Sequence, residues 1–153
     1  YNRLIMKKTL PQANDLNKVI DVMTYIYYHP QSSYEDIATY IGFSKRQAQY
    51  YVDACIYLNL VDEEHKPTNI CMDIFKNNPA NITESVYERI ILDDLIGQVF
   101  AKAFAFTEYD LDNFAQELVT IYYPEILSTA TIERRAHNIV LWCKKIIKSL
   151  SLK

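Results

Sequence analysis

Apolar residues recur at helical spacing along most of this chain. Leu16, Val19, Ile20, Met23, Ile26 and Tyr27 fall three and four positions apart, which lines one face of an α-helix. Pro30 ends that helix. Ser32 and Glu35 make a capping-box pair for a second helix, with Ile37, Ala38 and Ile41 inward. Gly42-Phe43 breaks it, because glycine takes the left-handed conformation that closes a helix. Ser44 and Gln47 form another capping box, and a third helix follows with Ala48, Tyr51, Val52, Cys55 and Leu58 inward.

Beyond that helix, Leu60-Val61-Asp62-Glu63 and Pro67-Thr68-Asn69-Ile70-Cys71 are expected to pair as a short β-hairpin around Glu64-His65-Lys66. Residues 72–78 read as a helical turn running into Asn77-Asn78-Pro79, the best boundary in the chain. A long helix is expected from Thr83 to about Phe106, apolar at Val86, Ile90, Leu95, Ile96, Val99, Phe100 and Ala103. Another starts near Asp110, with Leu111, Phe114, Ala115 and Leu118 inward, and Pro124 stops it. Ser128 to Thr131 offers caps for a last helix with Ile132, Ala136, Ile139, Val140, Cys143, Ile147 and Leu150 inward. The order helix, helix, turn, helix thus occurs twice, without a residue-by-residue repeat. The division expected is an N-terminal arm over 1–14, one unit over 15–78 and a second over 82–153.

Composition supports a mainly α fold. The chain has 153 residues, half of them hydrophobic, with two glycines and five prolines. All-β folds use glycine in turns and bulges, so its scarcity argues for helices. The three cysteines, Cys55, Cys71 and Cys143, are far apart and odd in number, which is no disulfide framework and fits a reducing, cytoplasmic setting. The apolar stretch from Ile90 to Phe106 is interrupted by Asp93, Asp94, Gln98 and Lys102, so no membrane span is expected. The chain opens at Tyr1, as a piece of something longer would.

Net charge is −3, mildly against a nucleic-acid binder, but its distribution is uneven. The acidic excess lies in residues 61–100, whereas from Glu133 to the end there are 6 basic residues and 1 acidic. Meeting phosphates takes one basic face, not a basic protein.

The segment from Asp36 to Val52 carries the functional reading. A helix-turn-helix needs a short second helix, a small residue at the crossing, a tight turn, and a third helix with one free face. Ala38 is the small residue, Gly42 the turn and Phe43 an apolar plug beneath it. Ser44 caps the third helix, whose apolar face leaves Lys45, Arg46, Gln49, Tyr50 and Asp53 outward. A capped helix N-terminus suits phosphate, Lys45 and Arg46 add charge, and Gln49 pairs with base edges. With Leu58-Asn59-Leu60-Val61 and the hairpin read as helix end plus wing, the run resembles a winged helix-turn-helix of the prokaryotic transcription-regulator kind. The resemblance covers about Asp15 to Asn78. The acidic tip Asp62-Glu63-Glu64 departs from it, since phosphate repels such a wing.

A second basic run, Thr131-Ile132-Glu133-Arg134-Arg135-Ala136 to Trp142, sets Arg134, Arg135 and Asn138 off the apolar stripe near a capped helix start. It is similar to the second winged-helix unit of bacterial proteins tied to restriction–modification systems. That resemblance implies a recognition module accompanying a nuclease or methyltransferase domain or subunit, with chemistry outside this chain. The other reading of Arg134 and Arg135 pairs them with Glu125 or Glu133, with Trp142 closing the core. Lys144, Lys145 and Lys148 extend the basic end or complement the helix dipole.

The expectation is therefore sequence-dependent binding of double-stranded DNA through Ser44, Lys45, Arg46, Gln49, Tyr50, Arg134, Arg135 and Asn138, with no catalytic residue, cofactor or metal. The alternative is a protein-interaction or homodimerisation module using the apolar, tyrosine-rich surface. Asp53 with Glu64-His65-Lys66 imitates the carboxylate–lysine pattern of many restriction nucleases, but that site needs paired strands of a larger sheet. His29, His65 and His137 have no ligand spacing to a cysteine or to each other, and two glycines cannot build a phosphate loop.

Overall fold

The computed structural model describes residues 8–105 and 110–151. Eight α-helices are found among them: α1 Leu16–Tyr28, α2 Tyr34–Ile41, α3 Lys45–Tyr57, α4 Asn69–Asn77, α5 Ile82–Ile91, α6 Asp94–Ala105, α7 Leu111–Tyr122 and α8 Thr129–Ser151. The protein is mainly α. Among the described residues no helix is long and apolar enough to cross a membrane.

The first three helices follow from their caps and stripes. Asp15 caps α1 by accepting from the N–H groups of Asn17 and Lys18, and Leu16, Val19, Val22, Met23 and Ile26 are buried. Ser33, not Ser32, caps α2, accepting from Asp36 N–H; Ser32 is buried and its hydroxyl donates to the His29 carbonyl. Gly42 ends α2 with φ at 88°, in the left-handed region, and the N–H groups of Gly42 and Phe43 both reach the Ala38 carbonyl. Phe43 stacks on Tyr51, with centroids 4.7 Å apart. α3 packs on α1 and α2.

The hairpin is reduced to a single antiparallel bridge, Val61 with Pro67, and no strand is found among the described residues. Thr68 is the reason. Its hydroxyl accepts from Cys71 N–H and caps α4, so Asn69, Ile70 and Cys71, expected in a second strand, are helical. The turn between bridge residues is still ordered. Asp62 accepts from the N–H groups of Glu64 and Lys66, and His65 Nδ1 donates to the Ser32 carbonyl over 2.7 Å, docking the tip on the α1–α2 loop.

The expected long helix over 83–106 is two helices, and its end at Phe106 lies outside the described residues. The break is at Leu92-Asp93, where Asp93 Oδ2 accepts from Ile96 N–H at the start of α6. Gly97 fits against the turn: a Cβ there would lie 2.5 Å from the Ile91 carbonyl oxygen. α6, α7 and α8 pack on one another. Apart from Leu150, which is exposed, the α8 stripe is inward as expected.

One continuous core joins the expected units. Residues 10–13 run between them instead of forming an outlying arm, with Leu10, Pro11 and Ala13 buried. On one side Trp142 Nε1 donates to the Ala13 carbonyl and Tyr123 OH to the Lys8 carbonyl. On the other, Tyr51 OH accepts from Asp15 N–H and donates to Asn14 Oδ1. Residues 1–7 of the expected arm lie outside the described residues.

Candidate nucleic-acid interface

The N-terminal half of α3 stands clear of the core. Its capping box is complete: Ser44 Oγ accepts from Gln47 N–H and Gln47 Oε1 accepts from Ser44 N–H. Ala48, Tyr51, Val52 and Cys55 face the core, which leaves Ser44, Lys45, Arg46 and Gln49 exposed and Tyr50 half-buried. Two of these side chains are already engaged. Lys45 Nζ lies 2.9 Å from Glu35 Oε2. That contact holds the Glu35 carboxyl below the usual carboxylate range and raises the Lys45 ammonium. Arg46 is laid along α3, its Nε–H donating to Tyr50 OH over 2.7 Å. Asp53, expected outward, is half-buried, and its carboxyl is pushed up by burial and then by Glu63, with His65 opposing.

Tyr50 also lines a groove with Gln12, Asn14, Arg134, Arg135 and Leu141, among other residues. This groove brings Tyr50 of α3 beside Arg134 and Arg135 from the first turns of α8, and Arg46 is joined to it only through its hydrogen bond to Tyr50. No carboxylate lines it among the described residues. Arg134 is exposed, its guanidinium within 3.5 Å of Thr131 Oγ1. Arg135 is half-buried, with its Nε–H buried and without a hydrogen-bond partner among the described residues. His137, beside them, faces Asp112 at 3.0 Å.

Asn138 also lines the groove, with its side chain engaged on the main chain. It is buried, and its Nδ2 donates to the Pro11 carbonyl over 3.3 Å. An amide at that position satisfies the backbone of residues 10–13, which have no periodicity to announce them. Gln12 and Asn14 reach the same groove from the chain just before α1 and were missed for the same reason.

A family profile described as "Domain of unknown function (DUF7226)" matches residues 18–151, across both expected units. The chain belongs to that family. The DUF7226 match runs from within α1 to the end of α8, on both sides of Asn77-Asn78-Pro79. No curated protein and no solved structure matches the chain.

The nuclease-like residues do not assemble. Asp53 is on α3, Glu64 pairs with Lys66 at 3.0 Å in the exposed turn, and no group of three metal-ligating side chains is found among the described residues. The cysteines are free and buried, which pushes the Cys71 thiol up to about 11 and the Cys143 thiol up to about 12, away from reactivity.

Proposed function

We propose that this DUF7226 chain is a double-stranded DNA-binding module of winged helix-turn-helix type. α3 enters the major groove with Lys45, Arg46, Gln49 and Tyr50, and Ser44 sets its N-terminus toward a phosphate. Arg134 and Arg135 meet the sugar–phosphate backbone alongside. The observation that carries this reading is the carboxylate-free groove in which Tyr50 and both arginines converge. A basic face of this kind attracts phosphates even on a chain of net charge −3. The single bridge with its acidic turn takes no part in contact. The setting proposed is cytoplasmic, in a restriction–modification protein or a transcription regulator, with any nuclease or methyltransferase chemistry in a partner domain or subunit.

Selection from random duplexes, followed by a salt titration of the selected sites, tests the proposal. Affinity should fall steeply between about 50 and 200 mM salt, because each neutralised phosphate releases a counterion. Lys45→Ala with Arg46→Ala should abolish the selected binding. Absence of duplex binding, or selected binding that the double variant leaves unchanged, overturns it. A concentration-dependent dimer without duplex binding would establish the protein-interaction alternative instead.

A further inference from the structure

A second feature of the molecule has no place in DNA contact. A cavity of about 650 Å³ opens where the C-terminal end of α3 meets α5, α6 and the end of α7, on walls that include Lys8, Tyr57, Arg89, Asp93 and Tyr123. That volume lies in the range of small-molecule sites. Lys8 and Arg89 are close enough to repel. Burial first, and then the Arg89 charge, hold the Lys8 ammonium below the usual lysine range. The Arg89 Nε–H is buried and has no hydrogen-bond partner among the described residues. That atom is closed to solvent, so it is the rest of the Arg89 side chain, together with Lys8, that lines the cavity. Asp93 lines the same cavity and partly offsets the two cations. Its Oδ2, however, already accepts from Tyr57 OH at 2.9 Å and from Ile96 N–H at 3.0 Å.

We propose that this cavity binds a small molecule ending in an oxyanion, a phosphate or a carboxylate, held by Arg89 and Lys8. Arg89 supplies a directed donor and Lys8 a compact charge, the usual division between these side chains at an oxyanion. The less polar body of the ligand lies on Leu92 and the tyrosine rings. Asp94, exposed at the rim, repels further negative charge, so a polyphosphate is disfavoured. This site is separate from the α3–α8 groove and stands whether or not the chain binds DNA.

The test is a ¹H–¹⁵N correlation titration of the whole chain, without DNA, using inorganic phosphate and acetate against sodium chloride at equal ionic strength. Saturable shifts of the Leu58, Asn59, Leu92 and Leu95 amides are expected, and the two arms show which oxyanion is preferred. Arg89→Gln and Lys8→Gln should each weaken the titration at least about tenfold, as loss of a charge-assisted hydrogen bond implies. No saturable shift with either anion overturns the proposal. So do shifts that both variants leave unchanged, which would mean an adventitious ion only. If Arg89→Gln does not fold, Lys8→Gln decides alone, since Lys8 is exposed enough to change without loss of the fold.

Discussion

Arg46 lies along Tyr50, one turn further on α3: its Nε–H donates to the phenol oxygen over 2.7 Å and its guanidinium carbon is 5.5 Å from the ring centroid. The contact fixes a long side chain before any partner arrives, while the residue as a whole stays exposed. Ordering in advance lowers the entropy lost on binding. Arg46→Ala should therefore weaken duplex affinity by about 1–3 kcal/mol, the range for losing a base-reading arginine. Arg46→Lys should recover only part, because an ammonium neither stacks on the ring nor donates as a fork. Tyr50→Phe, which keeps the ring and drops the oxygen, should lose less than Arg46→Ala. Fluorescence anisotropy on a selected duplex reads all three, and an Arg46→Lys variant that binds as tightly as the native chain would refute this account.

Lys45 is restrained by a carboxylate and not by a ring. Glu35 competes with phosphate for the same ammonium, across an exposed gap of 2.9 Å. Glu35→Gln should accordingly strengthen duplex binding slightly, as exposed ion pairs are weak. It should also steepen the salt dependence, since Lys45 is then released to a phosphate. The Glu35 carboxyl is held below its usual range by the lysine, so the pair persists through neutral pH. It is lost only as pH falls through that lowered value. Native and Glu35→Gln chains should thus differ at pH 7 and converge in acid.

Gly97 marks the break between α5 and α6. A Cβ at this position would meet the Ile91 carbonyl oxygen at 2.5 Å, a backbone atom that cannot swing aside. Gly97→Ala should therefore destabilise the protein even though alanine is the better helix former. A cost of about 1–3 kcal/mol is expected from overpacking. Thermal unfolding checks it, and a rise in Tm would show that the helices are not so closely apposed.

That break also shows where the sequence stops being legible. Apolar spacing continues smoothly from Val86 to Ala103, so periodicity alone reads one helix. The cap at Asp93 and the close approach at Gly97 are tertiary facts. The segment from α2 to α3 was readable because its signals are local: a glycine at positive φ, a capping box and a stripe of buried residues all fall within Ala38–Leu58. Thr68 could as well have begun a strand as capped a helix, and capping won. Asn138 looked like a surface amide because its partner, the Pro11 carbonyl, is far away in sequence. Lys45, Arg46 and Gln49 needed only the helical period to be placed outward.

Asp53 makes a pH prediction. Its carboxyl is raised above the ordinary value of 3.8, by burial first and by Glu63 second. A raised group favours the folded state while protonated: that contribution is full below 3.8 and is lost as pH rises through the folded-state value. At neutral pH the ionised carboxylate is therefore a burden. Asp53→Asn should raise Tm at pH 7, and the difference should close as pH is lowered toward 3.8. Tm measured against pH for both chains tests the sign. A variant less stable than the native chain at pH 7 would contradict it.

Trp142 ties α8 to residues 10–13, and so fixes how far Arg134 and Arg135 stand from α3. The indole is fully buried and its Nε1 donates to the Ala13 carbonyl over 2.8 Å. Trp142→Phe keeps most of the apolar volume but leaves that carbonyl without its donor, a loss of about 1–3 kcal/mol. For a domain of this size each 1 kcal/mol lowers Tm by about 2–4 °C. Asn138→Ala should act in the same direction through Pro11. Trp142 is not among the residues lining the groove, so at temperatures where the chain stays folded Trp142→Phe should not alter which duplex sequence is preferred. Arg134→Ala is the contrast: exposed, and outside the core, it should leave Tm nearly unchanged while lowering duplex affinity and the salt slope by about one contact. Melting curves and salt titrations on the three variants separate the roles. If Asn138→Ala left Tm unchanged, the buried hydrogen bond of that amide to Pro11 would be refuted.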